Sequence, residues 1–82
     1  MNKRNNWPTD KDVKQQETLY PAGTRVKLLE MDDPAAPPIG MTGTVVGVDG
    51  IGSLLMEWDN GSRLNVAYPV DRVEIISTPE NP

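Results

Sequence analysis

The chain contains neither cysteine nor histidine, and these two absences remove much of the usual chemistry of small catalytic and metal-binding domains. Without cysteine there is no disulfide and no thiolate metal site. Without histidine the chain lacks the usual general base near neutral pH and the commonest metal ligand. The sequence therefore predicts no catalytic residue, no metal site and no cofactor.

Large aromatic residues and long apolar runs are also scarce. Phenylalanine is absent, and only two Trp and two Tyr occur among the 82 residues, so Val, Leu, Ile and Met must build the core. A chain of this length forms one domain that buries about 60% of its unfolded surface, which leaves a thin margin of stability. Residues 1–8 are polar and lack the apolar run of a signal peptide, and no later run is long enough to span a bilayer. We therefore expect a cytoplasmic protein.

Aspartates are the remaining candidates for a hard-metal site. They lie in or beside predicted turns, where their side chains satisfy backbone amides. The residues concerned are Asp32, Asp33, Asp49, Asp59 and Asp71. Because no Asp-x-Asp-x-Asp-Gly pattern occurs, we interpret them as turn and cap residues.

Cations are outnumbered by carboxylates, which gives the chain a net charge of −4. Residues 1–22 carry four cations against three carboxylates, and residues 23–82 carry four against nine. Nucleic-acid affinity depends on cations that neutralise phosphates, so this balance disfavours it. The four cations of the second part are Arg25, Lys27, Arg63 and Arg72. They form either one basic patch or, as we favour, solvated ion pairs with Glu30, Glu57 and Glu74.

Residues 53–67 carry the strongest structural signal, an alternation that predicts a β-hairpin. A two-residue turn at Asn60-Gly61 would mix polar and apolar side chains on both faces. A three-residue loop, with Gly61 in the left-handed position, pairs Leu54 with Val66 and separates the two faces. We therefore predict the three-residue loop, with Leu55 facing solvent. Its inward side chains are Leu54, Met56, Trp58, Leu64 and Val66.

Proline and glycine divide the rest of the chain into short elements. We predict a disordered tail at 1–8, a single domain at 9–76 and a polar tail at 77–82. Thr9 caps a helix over about 9–19, and a barrel follows at 23–76. Its strands are expected at 24–31, 42–49, 53–58, 62–67 and 72–76. We also expect a bulge or a twist at Leu28-Leu29, one helical turn at Asp33-Pro34 and a 3₁₀ turn at 68–71. Val26, Leu28, Val73 and Ile75 are expected to face inward.

Five short strands must curl or close to hide their edges. The sequence therefore predicts a mainly β fold, a five-stranded SH3-like barrel preceded by one short N-terminal helix.

Several runs support a resemblance over most of residues 9–76. They lie at 20–26 (Tyr-Pro-Ala-Gly-Thr-Arg-Val), 31–40, 43–45 (Gly-Thr-Val), 47–53, 58–66 and 71–73 (Asp-Arg-Val). Together they resemble a family of small bacterial domains of unknown function that occurs in Gram-positive bacteria, phages and mobile elements. The resemblance implies a small domain in a phage or mobile-element setting, without an activity or catalytic residues. Residues 40–66 are more loosely similar to SH3-like repeats of the KOW type and of ubiquitin-ligase substrate-binding domains, which bears on fold alone.

The loop at residues 31–41 is the best candidate for a binding surface, because it offers apolar side chains beside charges and its prolines lower the cost of ordering. Its predicted partner-binding residues are Asp32, Asp33, Pro37, Pro38 and Ile39. Alternatively Ile39 plugs the end of the barrel, and both roles are compatible. Tyr68 joins the predicted site because SH3-like modules present an aromatic residue before this turn, although a structural role is equally open.

We expect different roles for the two tryptophans. Trp58 is expected in the core, because it faces inward in a chain without phenylalanine, although a role as a ligand platform is open. Trp7 either clamps onto the barrel or anchors a partner.

We predict a non-enzymatic protein-interaction module encoded by a phage or mobile element, acting as an accessory or inhibitor of a host system such as a defence nuclease. The alternative is a nucleic-acid-binding accessory that uses Lys3 and Arg4 with the cations of the barrel. A third hypothesis is a structural subunit of a larger assembly.

Overall fold

The computed structural model describes residues 9–80, which contain one helix and four strands. The elements are α1 (Asp10–Leu19), β1 (Arg25–Glu30), β2 (Thr42–Val48), β3 (Leu54–Trp58) and β4 (Arg72–Ser77). The strands form one antiparallel sheet in the order β3-β2-β1-β4. The mainly β fold with one short helix is confirmed. The five-stranded SH3-like barrel is wrong, because the described sheet has four strands and does not close.

The missing strand is the predicted second half of the hairpin, residues 62–67. Its two ends are where we expected them: Leu54 pairs with Val66, and the Trp58 amide donates to the Ser62 carbonyl at 2.9 Å. Between these ends, side chains replace backbone partners. The Trp58 indole donates to the Leu64 carbonyl at 2.7 Å, and the Met56 amide donates to the side chain of Asn65 at 3.4 Å. The segment therefore follows β3 without forming a ladder.

α1 begins with the predicted cap. The Asp12 amide donates to the Thr9 hydroxyl at 3.3 Å, and the Thr9 amide donates to the Asp12 carboxylate at 2.8 Å, which completes a capping box. No residue of α1 is buried, and Leu19 is exposed. The helix therefore depends on specific contacts with the sheet, because it is too short to be stable alone. At ten residues, it is also too short and too polar to cross a membrane, and residues 9–80 contain no other helix.

The core lies on one face of the sheet and confirms the hairpin register. Leu55 is 36% exposed, whereas Met56 is 2% exposed, so the alternation has the predicted phase. Trp58 belongs to this core, as expected. The buried apolar residues are Val26, Leu28, Met31, Val45, Leu54, Met56, Trp58 and Val66.

β4 departs from the expected burial. Val73 packs against the core, but Ile75 is 40% exposed, so the prediction that it faces a closed interior is wrong. β4 is an edge strand with only β1 beside it, and within residues 9–80 the sheet does not close over Ile75. The predicted bulge at Leu28-Leu29 is confirmed, since the register with β4 passes over Leu29.

The turn at 68–71 differs in type from the prediction. The Asp71 amide donates to the Ala67 carbonyl at 2.9 Å, so the bond spans four residues rather than the three of a 3₁₀ turn. The Asp71 carboxylate in return accepts from the Ala67 amide at 2.9 Å. The tail expected at 1–8, including the two roles of Trp7, lies outside the described residues.

Candidate functional site

The loop between β1 and β2, residues 31–41, is fixed to the sheet at its base. The Gly40 amide donates to the Leu28 carbonyl and the Leu28 amide to the Met41 carbonyl, both at 2.8 Å. A third bond, from the Met41 amide to the Pro38 carbonyl at 2.9 Å, closes a turn beside them. The end of the loop is therefore held to β1 by backbone hydrogen bonds.

The apolar side chains of this loop point in two directions. Met31 and Pro37 are buried, and Ala36 packs against the core. Ile39, in contrast, is 63% exposed. Met31 and Pro37 are therefore the buried residues of the loop, and the expectation that Ile39 plugs the end of the fold is wrong. The buried position of Pro37 also removes most of its surface from a partner's reach.

Asp33 shapes the acidic part of the loop. Its carbonyl accepts from the Ala36 amide at 2.9 Å, and its side chain accepts from the Ala35 amide at 2.8 Å. These bonds form a β-turn stabilised by an aspartate side chain, in place of the predicted helical turn. Asp32, Asp33 and Pro38 are exposed. The loop thus brings four of the predicted partner-binding residues, these three and Ile39, together on an exposed segment.

Tyr68 lies elsewhere and joins α1 to the turn after β2. Its hydroxyl donates to the Asp12 carboxylate at 3.4 Å, and its ring packs against Gly52. The Gln16 side chain donates to the Gly52 carbonyl at 3.0 Å, so the helix contacts the same turn. The Tyr68 amide also donates to the Ser53 hydroxyl at 3.4 Å. These contacts give Tyr68 a structural role.

The electrostatics of this contact follow from its hydrogen bonds. The backbone amide and hydroxyl of Thr9 lower the pKa of Asp12. Desolvation, followed by the nearby charge of Asp12, raises the pKa of the Tyr68 hydroxyl. Asp12 is therefore an ionised acceptor and Tyr68 a protonated donor at neutral pH.

The loop and Tyr68 are attached at opposite ends of β2. The loop leads into Thr42, the first residue of β2, whereas Tyr68 contacts Gly52 and Ser53 in the turn that follows Val48, the last residue. The structure therefore places the predicted partner-binding residues in two locations. The loop location combines an exposed apolar side chain, Ile39, with a backbone that is bonded to β1.

A groove of about 200 Å³ runs between α1 and the chain leading into β4. Leu54, Val66 and Val73 are among its apolar lining residues, and Tyr20 and Arg72 are among those with polar ends. Pockets for small molecules generally measure about 300–1,000 Å³. The groove is therefore of a size for one amino-acid side chain.

All four cations of the sheet region take part in ion pairs, three of them with the glutamates that we expected, whereas Arg25 pairs with Asp59. The pairs are Arg25–Asp59 at 2.7 Å, Lys27–Glu74 and Arg72–Glu30 at 3.5 Å, and Arg63–Glu57 at 3.8 Å. A basic patch on the sheet is thus not formed. Within residues 9–80, His, Cys, Asp and Glu also form no group of three that could hold a metal ion.

The Arg25–Asp59 pair belongs to a network that the sequence did not reveal. Arg25 donates to both carboxylate oxygens of Asp59 and to the hydroxyl of Thr44, and the Thr42 hydroxyl donates to Asp59 as well. The hydrogen bonds from Arg25, then from Thr42, hold the pKa of Asp59 well below its usual range. Alternation places Arg25 on the outer face, but its partner depends on the order of β1, β2 and β3 in the sheet.

Comparison with known proteins gives one family. The family described as Domain of unknown function (DUF4314) matches residues 9–76. No curated protein and no solved structure matches the chain. The match includes α1, the sheet apart from Ser77, the loop at 31–41 and Tyr68.

Proposed function

We propose that this chain, which belongs to the DUF4314 family of domains of unknown function, is a non-enzymatic protein-interaction module that binds its partner through the loop at 31–41. One observation carries the proposal: Ile39 is 63% exposed on a loop whose neighbouring residues are anchored. When a partner covers a large apolar side chain that was exposed to water, the free energy of the system falls, and this favours binding. A loop that is already ordered loses little entropy on binding.

Charge supports a protein partner over a nucleic acid. Residues 9–80 contain six cations and twelve carboxylates, and the four cations near the sheet already have carboxylate partners. Phosphate binding would have to compete with those four pairs. Asp32 and Asp33, which are exposed on the same loop as Ile39, add negative charge to it and favour a partner with basic side chains around an apolar site.

The biological setting follows from the resemblance described above. A phage or mobile-element domain without catalytic residues would act by contacting a host protein, as an accessory or as an inhibitor. An acidic surface suits a cytoplasmic target whose own binding cleft is basic, such as a defence nuclease.

The decisive experiment is affinity capture from the native host, with the bound proteins identified by mass spectrometry. The wild-type chain is compared with Ile39→Ser and with Ile51→Ser, a matched control because Ile51 is 54% exposed in the turn between β2 and β3. We expect a partner that binds the wild type and Ile51→Ser but is lost with Ile39→Ser. A partner captured equally by all three would contradict the proposed surface.

Nucleic acid is tested directly with labelled duplex and single-stranded DNA and RNA at two salt concentrations. We expect no binding. Binding that weakens steeply with salt and is abolished by deletion of residues 1–8 would favour the nucleic-acid alternative instead.

A further inference from the structure

In the part of the chain that the structure describes, β4 is an edge strand of the sheet. Within residues 9–80, the hydrogen bonds of the β4 backbone connect it to β1 on one side, and no other described segment pairs with it. The opposite edge, β3, is already bonded to residues 62–66. An unpaired strand edge is a template for another strand. The described chain thus offers one edge for the addition of a strand.

The usual protection of such an edge by charge is weak in β4. The strand contains no lysine and no proline, and its two charged residues are bonded to the neighbouring strand. Arg72 pairs with Glu30, and Glu74 pairs with Lys27, both on β1. The charges of β4 therefore cancel locally, and a second, identical edge would bring no unpaired charge against it. Ile75 and Ile76 remain 40% and 54% exposed.

The pattern of β4 selects a register for pairing with itself. When a sheet continues across a two-fold axis, side chains on the inner face of one copy must pair with side chains on the inner face of the other. The axis therefore passes between one residue and its own copy. An axis at Glu74 would place two carboxylates directly opposite each other. An axis at Ile75 instead places Ile75 against its copy, Val73 against Ser77, and Glu74 against Ile76. This register pairs five residues of β4 and covers the side chain of Ile75, which is exposed in the monomer.

We propose that the edge of β4 binds a second copy of this chain, by antiparallel β4–β4 pairing centred on Ile75. The two four-stranded sheets then form one continuous sheet. This interface is separate from Ile39 and goes beyond the proposed partner-binding function.

The absence of cysteine allows a clean test by disulfide trapping. Two residues on a shared two-fold axis lie close enough for their cysteine variants to cross-link. Ile75→Cys should therefore form a covalent dimer under mild oxidation, at twice the 9.0 kDa of one chain. Leu55→Cys is the matched control, because Leu55 has nearly the same exposure on the other edge strand. A mixture of Val73→Cys and Ser77→Cys should cross-link more than either variant alone.

Sedimentation of the unmodified full chain gives an independent measurement. We expect a shift from monomer to dimer with rising concentration, strengthened by salt, because both copies are acidic. Ile75→Lys should remove the shift, while Ile51→Lys, with the same change of charge, should keep it. A full chain that stays monomeric up to millimolar concentration overturns the proposal. So does a dimer in which Ile75→Cys cross-links no better than Leu55→Cys.

Discussion

Arg25 and Asp59, which are 34 residues apart in the sequence, are joined by two parallel hydrogen bonds of 2.8 and 2.7 Å. The pair links β1 to the turn after β3, and the hydroxyl of Thr42 on the intervening β2 donates to the same carboxylate. Exposed ion pairs usually contribute little, but a bidentate pair within a network is the favourable case. The contact fastens three strands together on the outer face of the sheet.

The first prediction concerns acid. The folded pKa of Asp59 lies below its unfolded value, so the pair stabilises the fold fully above about pH 4, and this contribution is lost as the pH falls further. Asp59→Asn should lower the melting temperature at pH 7, and the difference from wild type should shrink below pH 4. Glu57→Gln, which breaks the longer pair with Arg63, should have a smaller effect at pH 7. Equal effects of the two variants would contradict the special role of Asp59.

The second prediction separates backbone conformation from space. Gly61 has a φ of +92°, Gly50 does not have a positive φ, and neither would bring a Cβ within 4 Å of another group. Gly61→Val should therefore cost about 1–3 kcal/mol, because a β-branched residue is forced into the left-handed region. Gly50→Val should cost less. Chemical denaturation measures the loss of stability in both variants. Equal losses would mean that Gly61 does not occupy the left-handed region.

The third prediction concerns close packing at Gly43. A Cβ at this position would lie 2.6 Å from Trp58 Cε3 and 3.1 Å from the Glu57 carbonyl oxygen. Gly43→Ala should therefore destabilise by about 1–3 kcal/mol through overpacking. Gly47→Ala, in the same strand, would meet only Leu55 at an ordinary 3.7 Å and should cost less. A well-tolerated Gly43→Ala would show that Trp58 moves easily.

The fourth prediction ranks the core. Leu28 is fully buried, so Leu28→Ala should cost about 2–5 kcal/mol through loss of apolar contacts and the cavity that remains. Leu64→Ala should cost less, because Leu64 is only partly buried beside the core. Leu55→Ser should have the smallest effect of the three. The order of the unfolding midpoints tests the assignment, and a reversal of Leu28 and Leu55 would exclude it.

The fifth prediction distinguishes a binding residue from a structural one. Ile39→Ser should change stability by no more than about 0.5 kcal/mol, because the Ile39 side chain is mostly exposed to solvent. Tyr68→Ala should increase hydrogen exchange throughout α1, since it removes the ring packed on Gly52 and the bond to Asp12. Unchanged exchange in α1 with Tyr68→Ala would assign Tyr68 to the surface instead.

Much of the local structure could be predicted from short-range patterns. Thr9 and Asp12 are three residues apart, which is the spacing of a capping box, and α1 begins there. The alternation around Leu55 and Met56 fixed which side faces the core, because a shift by one residue exchanges the two faces of a strand. The positive φ of Gly61 follows from the same choice of register.

The binding loop could be predicted only in part. Its composition predicted that residues 31–41 form an exposed loop with charged residues and an apolar side chain available to a partner. The sequence could not predict which apolar residue is buried, because Met31, Pro37 and Ile39 could each face either the core or the solvent. In the structure, Gly40 and Met41 are bonded to the backbone of Leu28, Met31 and Pro37 are buried, and Ile39 is exposed.

The sequence by itself determined the helix, the hairpin turn, the inward side chains of β1 and β3 and the mainly β class, because each depends on residues only a few positions apart. Only the tertiary structure decided closure of the sheet, the partner of Arg25 and the location of Tyr68. Each of these joins groups far apart in the chain, and the choice depends on which side chains compete for the same backbone groups. Trp58 and Asn65 bond where a fifth strand would have paired, so within residues 9–80 the sheet stays open and β4 pairs with β1 alone.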